Sequence, residues 1–250
     1  MGVTAFENER YLHVSYFLLY AERSKRYTFR IECHPDSLLL FKKWLMPIKE
    51  HAQQILFVRS DVAYDIPSPM WELVVLSITG RNMHIGNGTE TFYSNQKQHR
   101  QVAGYCRVYD KKAQLLQKYG EIIEGQLTRF EIVYAPKKKI PLDMLVQFPP
   151  RFNRLYLCSQ LIEPEQLKPK ILQRVRGLML GELEQSQISG HYRRQIIAEM
   201  RKRSTLDFDN VAAEQWEEAI TLPCAILSGV VSKVPVTHPA ASWLSRKAQA

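Results

Sequence analysis

Alternation of apolar and polar residues predicts several β-strands in the first 150 residues. Strand patterns cover residues 27–33, 55–66, 69–79, 103–112 and 126–135. Glycines 80, 86 and 88 lie between the third and fourth of these patterns, where they predict a turn or hairpin. At least five strands are therefore expected.

Helical spacing replaces this alternation in two places within the same region. Residues 34–54 predict a helix with Asp36 or Ser37 as its N-cap, and Pro47 is expected to kink or end its first part. Residues 112–120 predict a second, short helix.

The pattern changes after Pro150, where helical stretches dominate at 164–185, 191–203 and 210–231. The predicted fold class is α+β, a mostly antiparallel sheet platform with flanking helices, followed by a smaller, mostly helical C-terminal part. We expect residues 1–150 to form the α+β domain and residues 151–250 to form the helical region.

Composition and charge narrow the class of protein. The chain has 250 residues and is 45% hydrophobic and 24% charged, which predicts a folded core rather than a disordered chain. No apolar run is long enough to span a membrane, and the N-terminus lacks the pattern of a signal peptide. The four cysteines are far apart with no C-x-x-C pair, which fits a reducing compartment. We expect a cytoplasmic protein without a membrane partner.

The formal net charge of +9 favours a polyanionic partner. Basic residues are interleaved with tyrosine and phenylalanine in several clusters, a pattern typical of nucleic-acid binding. Any single cluster is more simply explained as a solvated surface, but four of them together favour nucleic acid. The clusters lie at 23–26, 97–112, 137–139 and 193–203.

Three of the predicted strands carry polar residues on one face. The period of two groups Arg59, Asp61 and Asp65 in the first strand, Tyr105, Arg107 and Tyr109 in the second, and Arg129 and Glu131 in the third. Such faces occur on an ordinary sheet with a wet outer surface and cross-strand ion pairs, and also on an active-site platform. Periodicity alone favours the wet sheet.

The chemistry of an active-site platform is nevertheless coherent. Converging carboxylates can hold Mg²⁺ or Mn²⁺, which would polarise a phosphodiester. A tyrosine can attack phosphorus, but it needs an activating neighbour because its ordinary pKa is about 10. Arg107 and Lys111 are candidates for that role, and Arg59 and Arg129 could grip phosphate oxygens.

Four short motifs on these strands resemble those of the replication initiation factor family, the rolling-circle initiators of small plasmids and some phages. Residues 59–65 (RSDVAYD) resemble the family pattern R-x-D-x-A-x-D, and residues 107–112 (RVYDKK) resemble R-I/V-Y-N/D-K-K. Residues 129–132 (RFEI) resemble R-x-E-I/L, and residues 88–92 (GTETF) resemble G-T-x-x-F/Y. The motifs occur in the family's order and cover about residues 59–134.

The resemblance implies an enzyme that nicks one strand of the replication origin. Tyr109 would be the nucleophile that stays attached to the 5′ phosphate, while the freed 3′ hydroxyl primes synthesis. Arg107 and Arg129 would assist the reaction. The acids Asp61, Asp65 and Glu131 would correspond to the residues of the Mg²⁺ or Mn²⁺ site. The partners would be double-stranded and single-stranded origin DNA.

Contacts with DNA are expected from further basic residues. The candidates are Lys111, Lys112, Arg59, Lys97, Arg100, Arg193, Arg194 and Arg201. The last three belong to a short basic helix that could enter a major groove or equally be an exposed helix of a bundle. No helicase or nucleotide-binding motif occurs, so a host helicase and polymerase would be recruited. A homodimer is a further expectation.

Three alternatives stay open. Tyr105 lies on the same strand face as Tyr109 and could be the nucleophile instead. The protein could also be a non-catalytic initiator or regulator that binds the origin and recruits host proteins without cutting DNA. Finally, it could be an unrelated basic domain whose motif matches arise by chance, which would show no sequence-preferred DNA binding.

Overall fold

The structure of the chain is a computed structural model. The structure describes residues 2–7, 10–16, 29–34, 37–79, 83–85, 92–94, 102–160, 167–180, 182–202 and 206–228. Its fold is α+β, with antiparallel sheets, flanking helices and a helical C-terminal region, as predicted.

The described residues contain twelve strands. They are β1 (Gly2–Glu7), β2 (Arg10–Tyr16), β3 (Phe29–Cys33), β4 (Leu56–Phe57), β5 (Ser60–Ile66), β6 (Leu73–Ser77), β7 (Met83–Ile85), β8 (Phe92–Ser94), β9 (Cys106–Asp110), β10 (Thr128–Tyr134), β11 (Ile140–Pro141) and β12 (Tyr156–Gln160).

Five α-helices accompany the strands. They are α1 (Lys42–His51), α2 (Lys111–Tyr119), α3 (Pro169–Met179), α4 (Gly190–Arg201) and α5 (Phe208–Ser228). Short 3-10 helices occur at Met70–Glu72, Leu142–Gln147 and Gln185–Gln187. None of the described helices is long and apolar enough to cross a membrane.

The chain forms two compact units. One consists of the described parts of Met1–Leu56, Pro141–Val146 and Glu217–Ala250, and the other of Phe57–Ile140 and Gln147–Trp216. This division differs from the predicted one, because each unit contains segments from both sides of residue 150. Whether residues 1–150 act as a domain on their own stays a prediction.

The second unit contains a five-stranded antiparallel sheet in the order β5-β10-β9-β8-β7. Strands β5, β9 and β10 each alternate between a core-facing side and a polar side because successive side chains point to opposite faces. Phe130 and Ile132 of β10 and Val108 of β9 are fully buried on the core side. Phe208 joins them, its ring centre 4.9 Å from that of Phe130. The other side of these strands carries the charged residues.

A second layer of this unit is a two-stranded sheet formed by β6 and β12. Helices α3 and α4 pack against it through Ile171 and Val175 of α3 and Ile196 and Met200 of α4. A spacing of four residues places each pair on one helix face, which explains why these two amphipathic segments fold against a sheet.

The first unit contains the three-stranded antiparallel sheet β1-β2-β3 and helix α1. Leu12 of β2, Leu45 of α1 and Ile226 of α5 belong to one buried cluster with Leu38 and Phe41. The burial of these apolar side chains supplies the core of this unit.

Sequence patterns placed most elements of the second unit correctly. The predicted strands at 55–66, 69–79, 103–112 and 126–135 contain β5, β6, β9 and β10, and the predicted hairpin contains the antiparallel pair β7–β8. The three C-terminal helices are confirmed as α3, α4 and α5. Strands β1, β2, β11 and β12 were not predicted.

The prediction that Ser37 is the N-cap of α1 was wrong. The N-cap residue is Phe41, which makes no side-chain capping bond, and Ser37 lies four residues earlier. Asp36 lies outside the described residues. Pro47 lies inside the helix and does not end it, since the helix continues to His51. A kink at Pro47 stays a prediction.

We expect Phe130→Ala to lower the free energy of unfolding by about 3–5 kcal/mol, because it removes a ring with 0% exposure and leaves a cavity. Leu116→Ala on α2 is the control, since that side chain is 53% exposed and its loss should cost no more than about 0.5 kcal/mol. Urea unfolding of both variants measures the difference. Similar values for the two would contradict the assigned core.

Candidate active site

The three strands with charged faces are neighbours in one sheet. Strand β10 pairs antiparallel with β5 on one side and with β9 on the other. The register sets Arg129 opposite Asp65 of β5 and opposite Tyr109 of β9. The sequence predicted the polar face of each strand separately, and the structure shows that these faces form one surface.

Arg129 and Asp65 form the first ion pair on this surface. The Arg129 Nε and Nη2 atoms donate to the two Asp65 carboxylate oxygens, each over 2.6 Å. This two-point geometry fixes the plane of the guanidinium group. Burial acts to lower the pKa of Arg129, but the hydrogen bond and charge of Asp65 outweigh it and raise that pKa.

Glu131 is the centre of a second, adjoining group. The Tyr109 hydroxyl donates a 2.5 Å hydrogen bond to Glu131 Oε1. The Arg107 Nη2 atom donates to Glu131 Oε2 and forms an ion pair with it. Ala63 lies opposite Glu131 on β5, and its small side chain brings no competing polar group to the carboxylate. Tyr109 and Arg107 are thus joined through one carboxylate.

This environment keeps the Tyr109 phenol protonated at neutral pH. Burial raises the pKa of Tyr109, and the charge and hydrogen bond of Glu131 raise it further, while Arg129 and Arg107 act to lower it. Only 8% of the Tyr109 surface is exposed. A reaction at this hydroxyl therefore requires a base to accept its proton, and Glu131 is already in contact with it.

Tyr105 occupies a different position on the same face. Its residue surface is 2% exposed. It lines an open cavity of about 190 Å³ together with Asp61, Arg107, Glu131 and Val133. The cavity brings Asp61 to the same surface as Glu131. Of the two candidate tyrosines, Tyr109 is the one whose hydroxyl is bonded to a carboxylate of the motif strands.

Protein groups already contact the carboxylate oxygens of Glu131 and Asp65. Both Glu131 oxygens contact Tyr109 or Arg107, and both Asp65 oxygens contact Arg129. Within the part of the chain that the structure describes, no three His, Cys, Asp or Glu residues form a group that could hold a metal. An ion at Glu131 would have to displace a hydrogen bond or an ion pair. The expectation of Mg²⁺ or Mn²⁺ stays a prediction.

Helix α2 begins directly after β9 because Asp110 caps it. The Asp110 carboxylate accepts a 2.9 Å hydrogen bond from the backbone N–H of Ala113. Gly120 ends the helix with a φ of 66°, a left-handed conformation that favours glycine. The capping role of Asp110 was not predicted, although an aspartate directly before a helical pattern is a common capping signal.

The cap places Lys111 and Lys112 at the first turn of α2. The Lys111 ammonium group donates to Gln114 Oε1 over 2.7 Å, and that of Lys112 donates to the Gly125 carbonyl over 2.9 Å. Burial lowers the pKa of Lys111, and the nearby charge of Arg129 lowers it further. Tyr109, Glu131 and Arg107 together are called the tyrosine group below. Lys111 therefore belongs to the electrostatic environment of this group.

The remaining candidates for DNA contact are spread over the structure. Arg59 is half-buried and directly precedes β5. Lys97 and Arg100 lie outside the described residues. Arg193, Arg194 and Arg201 lie on α4, which packs on β6 and β12 rather than on the strands of the tyrosine group. The role of these residues in DNA binding stays a prediction.

Comparison with known proteins adds no family assignment. No model of a protein family matches the chain, and no curated protein matches it significantly. The resemblance to replication initiation factors therefore depends on the four sequence motifs alone, and residues 88–91 of one of them lie outside the described residues.

We expect Glu131→Gln to lower the pKa of Tyr109, because the substitution removes the negative charge that disfavours the phenolate. Nuclear magnetic resonance of ring-labelled tyrosine across a pH series measures this pKa, and Tyr109→Phe identifies the signal. Asp65→Asn is the control, since the Asp65 carboxylate contacts Arg129 and not the phenol. An unchanged Tyr109 pKa in Glu131→Gln would contradict the observed contact.

Proposed function

We propose that the protein is a replication initiator of a plasmid or phage that nicks one DNA strand at the origin through Tyr109. The observation that carries this proposal is the 2.5 Å hydrogen bond from the Tyr109 hydroxyl to Glu131, whose other oxygen pairs with Arg107. The contact joins the nucleophile and the acid that the family resemblance implies. It also supplies the proton acceptor that a buried phenol needs.

The reaction is a transesterification at a phosphodiester. The Tyr109 oxygen attacks phosphorus while its proton moves to Glu131 Oε1, and a new bond forms between tyrosine and the 5′ phosphate. The bond from phosphorus to the 3′ oxygen breaks. The 3′ oxygen takes a proton from water and becomes the 3′ hydroxyl primer, and the hydroxide left behind takes the proton from Glu131 and restores its carboxylate. Reversal of these steps rejoins the strand.

The two arginines stabilise the negative charge of this reaction. Arg129 is held in the plane of the Asp65 carboxylate, and Arg107 is held by Glu131. When Glu131 takes the tyrosine proton it becomes neutral, so its attraction for Arg107 falls. The Arg107 charge is then available to the phosphate oxygens as the transition state forms. No step of this mechanism passes through a metal ion.

The proposed setting follows from the same hypothesis. The protein would act in the cytoplasm, as one half of a homodimer, on double-stranded and single-stranded origin DNA. It would recruit a host helicase and a host polymerase, since its sequence has no helicase or nucleotide-binding motif. Mg²⁺ or Mn²⁺ stays part of the family expectation and is tested separately below.

The second candidate is a non-catalytic initiator that binds the origin and recruits host proteins. The observation that favours it is that each carboxylate of the site, Glu131 and Asp65, is already neutralised by an arginine. Both carboxylates are paired with arginine, and Tyr109 is buried with its pKa raised. In this alternative the network stabilises the sheet as a set of cross-strand interactions.

The two candidates differ in the behaviour of Tyr109→Phe. We incubate a supercoiled plasmid that carries the DNA around this gene with wild-type protein and Mn²⁺, and we measure the fraction of nicked circles. The proposal expects nicking by the wild type and by Tyr105→Phe, and loss of nicking below detection in Tyr109→Phe. Parallel reactions with a chelator test the metal expectation independently.

The control for folding is origin binding by Tyr109→Phe, which should equal that of the wild type because only one hydroxyl is removed. Binding by the wild type without any nicking would favour the non-catalytic initiator. Nicking that survives in Tyr109→Phe would contradict the assignment of the nucleophile.

A further inference from the structure

A helical pair outside the tyrosine group carries much of the positive charge of the chain. The segment 167–202, which contains α3 and α4, has eight lysines and arginines and three glutamates. Its formal charge of +5 is therefore more than half of the net charge of +9. Charge concentrated in this way attracts polyanions.

Packing decides which faces of the pair are exposed. Ile171 and Val175 of α3 and Ile196 and Met200 of α4 are buried in the cluster that β6 and β12 complete. The opposite faces of both helices point away from this core. Residues Lys168, Lys170 and Arg176 of the α3 region are exposed there.

The exposed face of α4 presents one continuous row. His191, Arg194, Ala198 and Arg201 are all exposed and follow each other at spacings of three, four and three residues. No carboxylate in the described residues pairs with Arg194 or Arg201, whereas Lys202 is bound to Glu199 over 2.9 Å. The two arginines are thus available to an anionic partner. Arg193 is half-buried beside the core face.

Contacts between the helices and within their connection hold this surface in place. The Arg174 guanidinium of α3 lies 3.7 Å from the centre of the Tyr192 ring of α4. In the connection, the Leu183 N–H donates to the Gly177 carbonyl over 3.0 Å. A Cβ atom at residue 177 would lie 3.1 Å from that of Leu183, so glycine permits this close approach. The surface is therefore preorganised.

We propose that α3 and α4 form a docking surface for double-stranded DNA, with the exposed row of α4 in the major groove. The groove of B-form DNA is about 12 Å wide and admits an α-helix. The guanidinium groups of Arg194 and Arg201 can each donate two hydrogen bonds, either to phosphate oxygens or to the edge of a guanine base. The small Ala198 between them allows the helix to approach the floor of the groove closely. The exposed Lys168 and Lys170 belong to the same pair of basic helices and add contacts with phosphates. This surface does not depend on the chemistry of Tyr109.

Binding of a short labelled DNA duplex to full-length protein tests this proposal. We expect Arg194→Ala/Arg201→Ala to raise Kd on the order of tenfold. The slope of log K against log salt should decrease in magnitude by about 0.9 for each arginine that contacts a phosphate. Lys42→Ala/Lys43→Ala is the matched control, because it removes the same charge from exposed positions of α1. Its Kd should stay within about twofold of the wild type.

All proteins in this experiment carry Tyr109→Phe, so nicking cannot contribute and failure of the proposed enzymatic function would leave the result unchanged. Circular dichroism and the Tm verify that each variant is folded. Unchanged duplex binding by the α4 variant, or an equal loss in the α1 control, would overturn the proposal. Equal competition by an RNA duplex would also overturn it, because the narrow major groove of A-form RNA excludes a helix.

Discussion

The position of β10 between β5 and β9 is the constraint on which the candidate site depends. Its antiparallel register sets Arg129 between Asp65 and Tyr109 and sets Glu131 beside Arg107. A shift of one residue would turn Arg129 and Glu131 toward the core and bring Phe130 and Ile132 to the polar face. Burial of those two apolar side chains therefore fixes the charged network on the other side of the same strand.

Charge balance then determines what the polar face can do. Two arginines and two carboxylates neutralise each other at the edges of Tyr109, and loss of one partner would leave a partly buried charge without compensation. The phenol is bonded to the carboxylate that is best placed to accept its proton. The same carboxylates are consequently less available to a metal ion. A single arrangement thus accounts for a stable sheet and for a tyrosine with a neighbouring base.

The sequence predicted strands better than contacts between them, for a physical reason. Alternation identifies a polar face because its period is local, so Asp65, Tyr109 and Glu131 were all recognised as outward residues. The bond between Tyr109 and Glu131 depends on register, which arises from packing across distant segments. The metal role of Glu131 is implied only by the family resemblance and stays a prediction. Its pair with Arg107 is a cross-strand ion pair of the kind that the polar faces allow, but the two partners could not be named without the register. Strand β12 was missed because it is a short apolar run in a region dominated by helical spacing.

The most direct test of this account identifies the tyrosine that becomes attached to DNA. Trypsin cleaves after Arg107 and Lys111, so Tyr109 is released in the peptide 108–111 and Tyr105 in the peptide 101–107. The protein reacts with DNA from the region around this gene and is then digested with nuclease and trypsin. Mass spectrometry locates the tyrosine that still carries a nucleotide linked through its 5′ phosphate. The account predicts the modification on peptide 108–111 in the wild type and its loss in Glu131→Gln. A modification on peptide 101–107, or an undiminished one on 108–111 in Glu131→Gln, would contradict it.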